Sequence, residues 1–140
     1  MNILFIDDER RRMDAFVMEL ELTGKTIIFC TEAQKGWDVF VKNRTKINLI
    51  ILDIMMAPGE LFDTGAVEDC LRTGVAMFEK IREQAPDLPV IIFTNASDRE
   101  VQERFRDEKS CLFVQKKGYL PSEFVHLISK FLAKEKIAQD

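Results

Sequence analysis

Ile47-Asn48-Leu49-Ile50-Ile51-Leu52 runs straight into Asp53, and this stretch decides the fold. A short apolar run rich in Ile, without strict polar alternation, has no face to give to water. It reads as a strand buried on both sides, as in a parallel sheet covered by helices. Working outward, Asn2-Ile3-Leu4-Phe5-Ile6 runs into Asp7-Asp8, Val90-Ile91-Ile92-Phe93 into Thr94, and Cys111-Leu112-Phe113-Val114-Gln115 into Lys116-Lys117. Residues 25–30 read as one more strand. Helical spacing fills the intervals. Met13, Phe16, Val17 and Leu20 form one apolar stripe, closed by Gly24. Trp37, Phe40 and Val41 point inward from a second helix, with Thr31 as its cap. Val75, Phe78 and Ile81 mark a third, stopped at Ala85-Pro86 because the residue before proline avoids helical dihedrals. Ser97 and Glu100 make a capping box for a fourth, with Val101 and Phe105. Phe124, Leu127, Ile128, Phe131 and Leu132 follow Pro121-Ser122 in the last.

The pattern is β-α repeated five times. Right-handed crossovers make it an α/β fold, a three-layer doubly wound (βα)5 sandwich, with the parallel strands expected in the order 2-1-3-4-5. Residues 1–140 read as one domain. From 58 to 73 the chain shows no strand and only a short helical pattern around 67–71, an unusually long insertion, at about 59–73, for a β-α connection.

Composition narrows the function. The 140 residues are 46% hydrophobic and 31% charged, which fits one globular domain with a real core. A net charge of -4 gives the chain no electrostatic case for nucleic acid, and Arg10-Arg11-Arg12 reads as a solvated first helical turn. No apolar stretch approaches a membrane span, and a strand that begins almost at Met1 leaves no room for a signal peptide, so a cytoplasmic protein is expected. Cys30, Cys70 and Cys111 are odd in number and lack metal-ligand spacing, so they are expected as reduced thiols. His126, the only histidine, lies far in sequence from every strand end, which leaves a histidine-based catalytic arrangement without support.

Ligands of such sheets bind outside the carboxyl ends of the strands. Three acids, a hydroxyl and an amine stand at four equivalent ends. The expected order puts the switch-point crevice between strands 1 and 3, beside Asp7, Asp8 and Asp53. Carboxylates that converge there repel each other, and their natural use is to hold a hard divalent cation such as Mg²⁺.

These residues resemble the receiver domain of two-component response regulators, the CheY-like superfamily with its flavodoxin-like sheet. Asn2 to Glu9 is similar to the family's first strand with its acidic pair, and Asp53-Ile54-Met55-Met56 to its phosphoacceptor strand end. Thr94 and Lys116 match its hydroxyl and lysine, and the interval between them agrees with the family. The resemblance implies that Asp53 is the phosphoacceptor and Mg²⁺ the cofactor, bound by Asp8, Asp53 and the Met55 carbonyl, with Asp7 acting directly or through water. It also implies that Lys116 and the metal neutralise the transferring group and that Thr94 hydrogen-bonds a phosphoryl oxygen. Phe113 sits where the family carries a switch aromatic, although a plain core phenylalanine would look the same. The implied partners are a sensor histidine kinase or phosphotransfer protein and a downstream effector, with a homodimer on the fourth and fifth helices as a further possibility.

Departures from the family matter as well. The interval from Thr94 favours Lys116 as the active lysine, whereas counting back from Pro121 favours Lys117; strand register argues for Lys116. Lys117-Gly118 stand where the family has proline after its lysine. Gly74 corresponds to the family's glycine at the start of the third helix but comes much later in the chain, after the insertion. A degenerate receiver, a phosphorylation-independent binding module, is the alternative. A haloacid-dehalogenase-like phosphatase would need a second Asp at the position of Met55. The chain is therefore expected to catalyse only its own phosphorylation and dephosphorylation.

Overall fold

A computed structural model describes residues 1–56, 70–96 and 98–139 of the chain. Strands β1 (Asn2–Ile6), β2 (Thr26–Cys30), β3 (Leu49–Leu52), β4 (Val90–Thr94) and β5 (Cys111–Gln115) alternate with helices α1 (Arg10–Leu22), α2 (Ala33–Asn43), α3 (Cys70–Gln84), α4 (Arg99–Arg106) and α5 (Pro121–Gln139). The sheet is parallel throughout, in the order β2-β1-β3-β4-β5, as expected.

Side chains alternate across each strand, so one strand feeds two cores. Leu4, Ile6, Ile50, Leu52, Val90 and Ile92 pack with Phe40 of α2, Met77, Phe78 and Ile81 of α3 and Phe105 of α4. Ile3, Phe5, Leu49, Ile51, Ile91 and Phe93 pack with Met13, Val17 and Leu20 of α1 and Phe124, Ile128 and Phe131 of α5. On that second side Phe93 stacks on Phe124 at 4.1 Å, and Phe16 meets both rings edge-on. Each fully buried side chain of this size contributes about 1.5–3 kcal/mol, so the two aromatic and aliphatic layers hold the sheet rigid beneath its ends.

Several boundaries differ from the sequence reading. Ile47 is buried, but its N–H closes α2 by donating to Asn43, so β3 begins only at Leu49. The Lys25 N–H is used by Leu20 and that of Gly24 by Glu21, a Schellman ending of α1 that pushes the start of β2 to Thr26. Thr31 does not cap α2; Glu32 holds the cap position, without a side-chain bond. Val41 is exposed, one step beyond the face on which Ala33, Gly36 and Phe40 are buried. Asp98 takes the cap position of α4, and Ser97 lies outside the described residues.

Of the insertion expected at 59–73, positions up to 69 lie outside the described residues and the rest belong to α3. Gly74 is thus inside a helix rather than at its start. There the helix comes so close to the segment after β3 that an added Cβ would stand 2.2 Å from Ile54 Cα. Only glycine allows that approach.

Candidate functional site

Parity and register assemble the site. Ile6 pairs with Leu52, and the ladder runs one step further as the Asp53 N–H donates to the Ile6 carbonyl at 2.9 Å. Asp7 and Asp53 therefore emerge side by side, continuing the alternation of Phe5 and Ile51. On β5, Val114 belongs to the same core, and Lys116 continues its parity two residues on. The Lys116 N–H is held by the Thr94 carbonyl at 2.9 Å, which extends the β4-β5 ladder past its end.

The outcome is a buried cation among acids. Lys116 Nζ donates to Asp53 Oδ2 at 2.9 Å, lies 2.7 Å from Asp7 Oδ2 and is 3.6 Å from Glu9 Oε2. Asp7, Asp53 and Lys116 are all buried, whereas Asp8 is exposed. Main-chain donors fix the two buried carboxylates: Glu9 N–H to Asp7 Oδ1 at 2.8 Å and Met55 N–H to Asp53 Oδ1 at 2.9 Å. Burial raises the Asp7 pKa, against the pull of Lys116 and the Glu9 N–H. Burial and then the Asp53 charge raise that of Asp8. For Lys116, burial disfavours the ammonium, but Asp7 and Asp53 together outweigh it and hold the pKa above the ordinary lysine value.

One oxygen from each of Asp7, Asp8 and Asp53 can be chosen so that all three lie within 4.8 Å of one another. Asp7 Oδ2 is buried, and the Lys116 ammonium at 2.7 Å is its partner among the described residues. Three hard oxygen donors this close fit a small divalent cation.

Other expected residues stand nearby in different roles. Thr94 is fully buried, and its Oγ1 accepts the Ala96 N–H at 3.2 Å; among the described residues no hydrogen bond ties it to the acids. Phe113 is partly buried on the α4 side, its ring 6.2 Å from that of Phe105. Met55 is exposed. Lys117 is exposed and takes no part in the cluster. The Lys116 carbonyl accepts the Tyr119 N–H, and Gly118 sits at φ 94°, the backbone a type II turn requires at its third position. That turn carries Lys117 outward. His126 is exposed and the thiols of Cys30 and Cys111 are free, burial pushing the Cys111 thiol up to about 12.

Sequence reasoning singled out neither Glu9 nor Gln115. Glu9 holds Arg12 with Oε1 at 3.5 Å and faces Lys116 with Oε2. The side chain of Gln115 reaches the Ala96 carbonyl at 3.4 Å, tying the loop after Thr94 to β5. Their position beside the acids and the lysine was the available signal.

The response regulator receiver domain matches residues 3–129 of the chain. This protein belongs to that family. A receiver domain protein from Clostridium thermocellum is 19% identical, with a TM-score of 0.74 over 98% of each chain. A CheY-like receiver from Methanospirillum hungatei JF-1 is also 19% identical, with a TM-score of 0.76 over 98% of this chain and 97% of its own. NtrX from Brucella abortus reaches 0.77 at 22% identity, and there this receiver spans only 28% of the longer chain. No curated protein matches. Among the described residues no helix is long and apolar enough to cross a membrane.

Proposed function

We propose that this receiver is phosphorylatable: Asp53 accepts a phosphoryl group from a phosphohistidine on a sensor histidine kinase or phosphotransfer protein, in a Mg²⁺-dependent reaction, and the change is read by a downstream effector. The observation that carries the reading is the Asp53 carboxylate itself, buried at the end of the central strand, oriented by a main-chain N–H and paired with Lys116 at 2.9 Å. A binding-only module gains little from burying this lysine among acids, because desolvation costs about as much as the pairing returns.

In this reading Asp53 attacks phosphorus as the P–N bond of the donor opens and the imidazole leaves with its electron pair, giving an aspartyl phosphate. The Met55 N–H on Oδ1 presets the carboxylate before the donor arrives. Lys116, charged at any physiological pH, offsets charge on the transferring group. Asp7, Asp8, Asp53 and the Met55 carbonyl would hold the cation, which when bound neutralises phosphoryl oxygens and relieves the repulsion among the acids. Thr94 accepts from Ala96 and donates to no described residue, which leaves its hydrogen for a phosphoryl oxygen. Phe113, on the same side of the sheet, is placed to follow a shift of that loop. Free thiols fit a reducing, cytoplasmic setting.

Beryllofluoride, a stable mimic of an aspartyl phosphate, tests the reading. Added with Mg²⁺, it should bind at one site per chain and alter Trp37 fluorescence, and neither should occur with Asp53→Asn. Unchanged fluorescence and no bound beryllium in the unmutated chain would favour the degenerate receiver.

A further inference from the structure

Lys116 is paired with two of the acids that a divalent cation in the crevice would also call on. Its ammonium lies between Asp7 Oδ2 and Asp53 Oδ2, two of the three acids that can converge within 4.8 Å. A cation drawn to those oxygens competes with the lysine for the same charge, and at this range two positive groups repel strongly in a partly buried site. The lysine is buried and its backbone is pinned to Thr94, so it cannot simply leave for solvent. Besides Asp7 and Asp53, the carboxylate ion-paired with Lys116 among the described residues is Glu9, with Oε2 at 3.6 Å, slightly beyond an ordinary hydrogen bond. Glu9 is itself positioned: its N–H is bound to Asp7 and its other oxygen is paired with Arg12.

We propose that Glu9 is a positioning residue for Lys116, receiving the ammonium when a divalent cation claims Asp7 and Asp53. The inference rests on the functional reading above, since it presumes that Mg²⁺ enters the acidic crevice. Glu9 then lowers the cost of moving Lys116 aside and keeps the amine at the edge of the site, ready for the incoming phosphoryl group. The contact at 3.6 Å is the resting form of a bond that tightens on loading.

The test is a double-mutant cycle read by calorimetric titration of Mg²⁺ into the full chain. Lys116→Met should bind Mg²⁺ more tightly than the unmutated protein, because the competitor is gone. Glu9→Gln should weaken Mg²⁺ about threefold to tenfold when Lys116 is present and change it by less than about twofold in the Lys116→Met background. An equal effect in both backgrounds would mean that Glu9 acts on the metal by its charge alone and would overturn the proposal. If the unmutated chain takes up no Mg²⁺, the functional reading falls and this inference with it. A second measurement keeps the question open to refutation should Lys116→Met not fold. With saturating Mg²⁺, the ammonium proton resonance of Lys116 should remain protected from solvent exchange in the unmutated chain and lose that protection in Glu9→Gln. Equal protection in the two would reject the role.

Discussion

Two cations, the half-buried Arg82 and the buried Lys116, sit at opposite ends of the sheet, and they are held in opposite ways. Arg82 reaches from α3 to the amino ends of β4 and β5, where its two terminal nitrogens donate to the carbonyls of Ala85, Leu88, Lys109 and Ser110 at 2.6–3.2 Å. Its guanidinium lies over the Phe78 ring, and burial lowers its pKa. Lys116, past the carboxyl end of β5, is held by side-chain carboxylates instead. Main-chain carbonyls cannot be claimed by another ligand without unfolding the loops that present them. Carboxylates can exchange one cation for another. The first arrangement is a permanent cross-link and the second is exchangeable, although both hold one positive charge out of full contact with water.

Removing the cross-link should have the larger effect. Arg82→Met takes the side-chain donor from carbonyls in two loops, of which only those of Ala85 and Ser110 keep a main-chain donor among the described residues, and should cost about 2–4 kcal/mol in urea denaturation, unaffected by Mg²⁺. A loss below about 1 kcal/mol, or one that Mg²⁺ restores, would erase the distinction.

Lys116→Met should cost less, about 1–3 kcal/mol at neutral pH without metal, because Asp7 and Asp53 are then buried with no neutralising partner. Two treatments should return that loss: saturating Mg²⁺, which binds only the folded state, and lowering the pH toward about 5. The sign of the pH effect follows from the carboxylates. Burial raises the Asp7 pKa even with Lys116 opposing it, and removing the ammonium leaves that rise unopposed, so the native state binds more protons than the unfolded one and gains stability as pH falls. Failure of Mg²⁺ to stabilise this variant would make Lys116 a fixed cross-link like Arg82.

The smallest effect is local to the Arg82 end. Ser110, whose carbonyl serves both Arg82 and the Val90 N–H, sits at φ 53°, where a side chain is strained. Ser110→Gly should raise stability by about 0.5–1 kcal/mol in the same denaturation assay. A loss instead would show that the serine side chain contributes more than its backbone strain costs.

Much of the fold was legible because buried parallel strands announce themselves by composition. The runs ending at Ile6, Cys30, Leu52, Phe93 and Gln115 each became a strand in the expected order, the fourth extended by Thr94. The acid trio was legible for the same reason, since register alone places Asp7 beside Asp53. Caps were not. Whether Thr31 or Glu32 begins α2 depends on one residue's backbone angles, which no periodicity reports. Arg82 was equally silent: its partners are carbonyls at four positions, and carbonyls leave no trace in a sequence. Glu9 entered only as the last residue of the stretch Asn2 to Glu9, and only the folded loop turns its second oxygen toward Lys116.

The central claim is that Asp53 receives a phosphoryl group with the help of a divalent cation, and intact-mass spectrometry after incubation with acetyl phosphate tests it most directly. With Mg²⁺ the chain should gain one phosphoryl group that is lost at alkaline pH; without Mg²⁺, or with Asp53→Asn, it should gain none. Equal labelling of the Asp53→Asn chain, or labelling indifferent to Mg²⁺, would contradict the account.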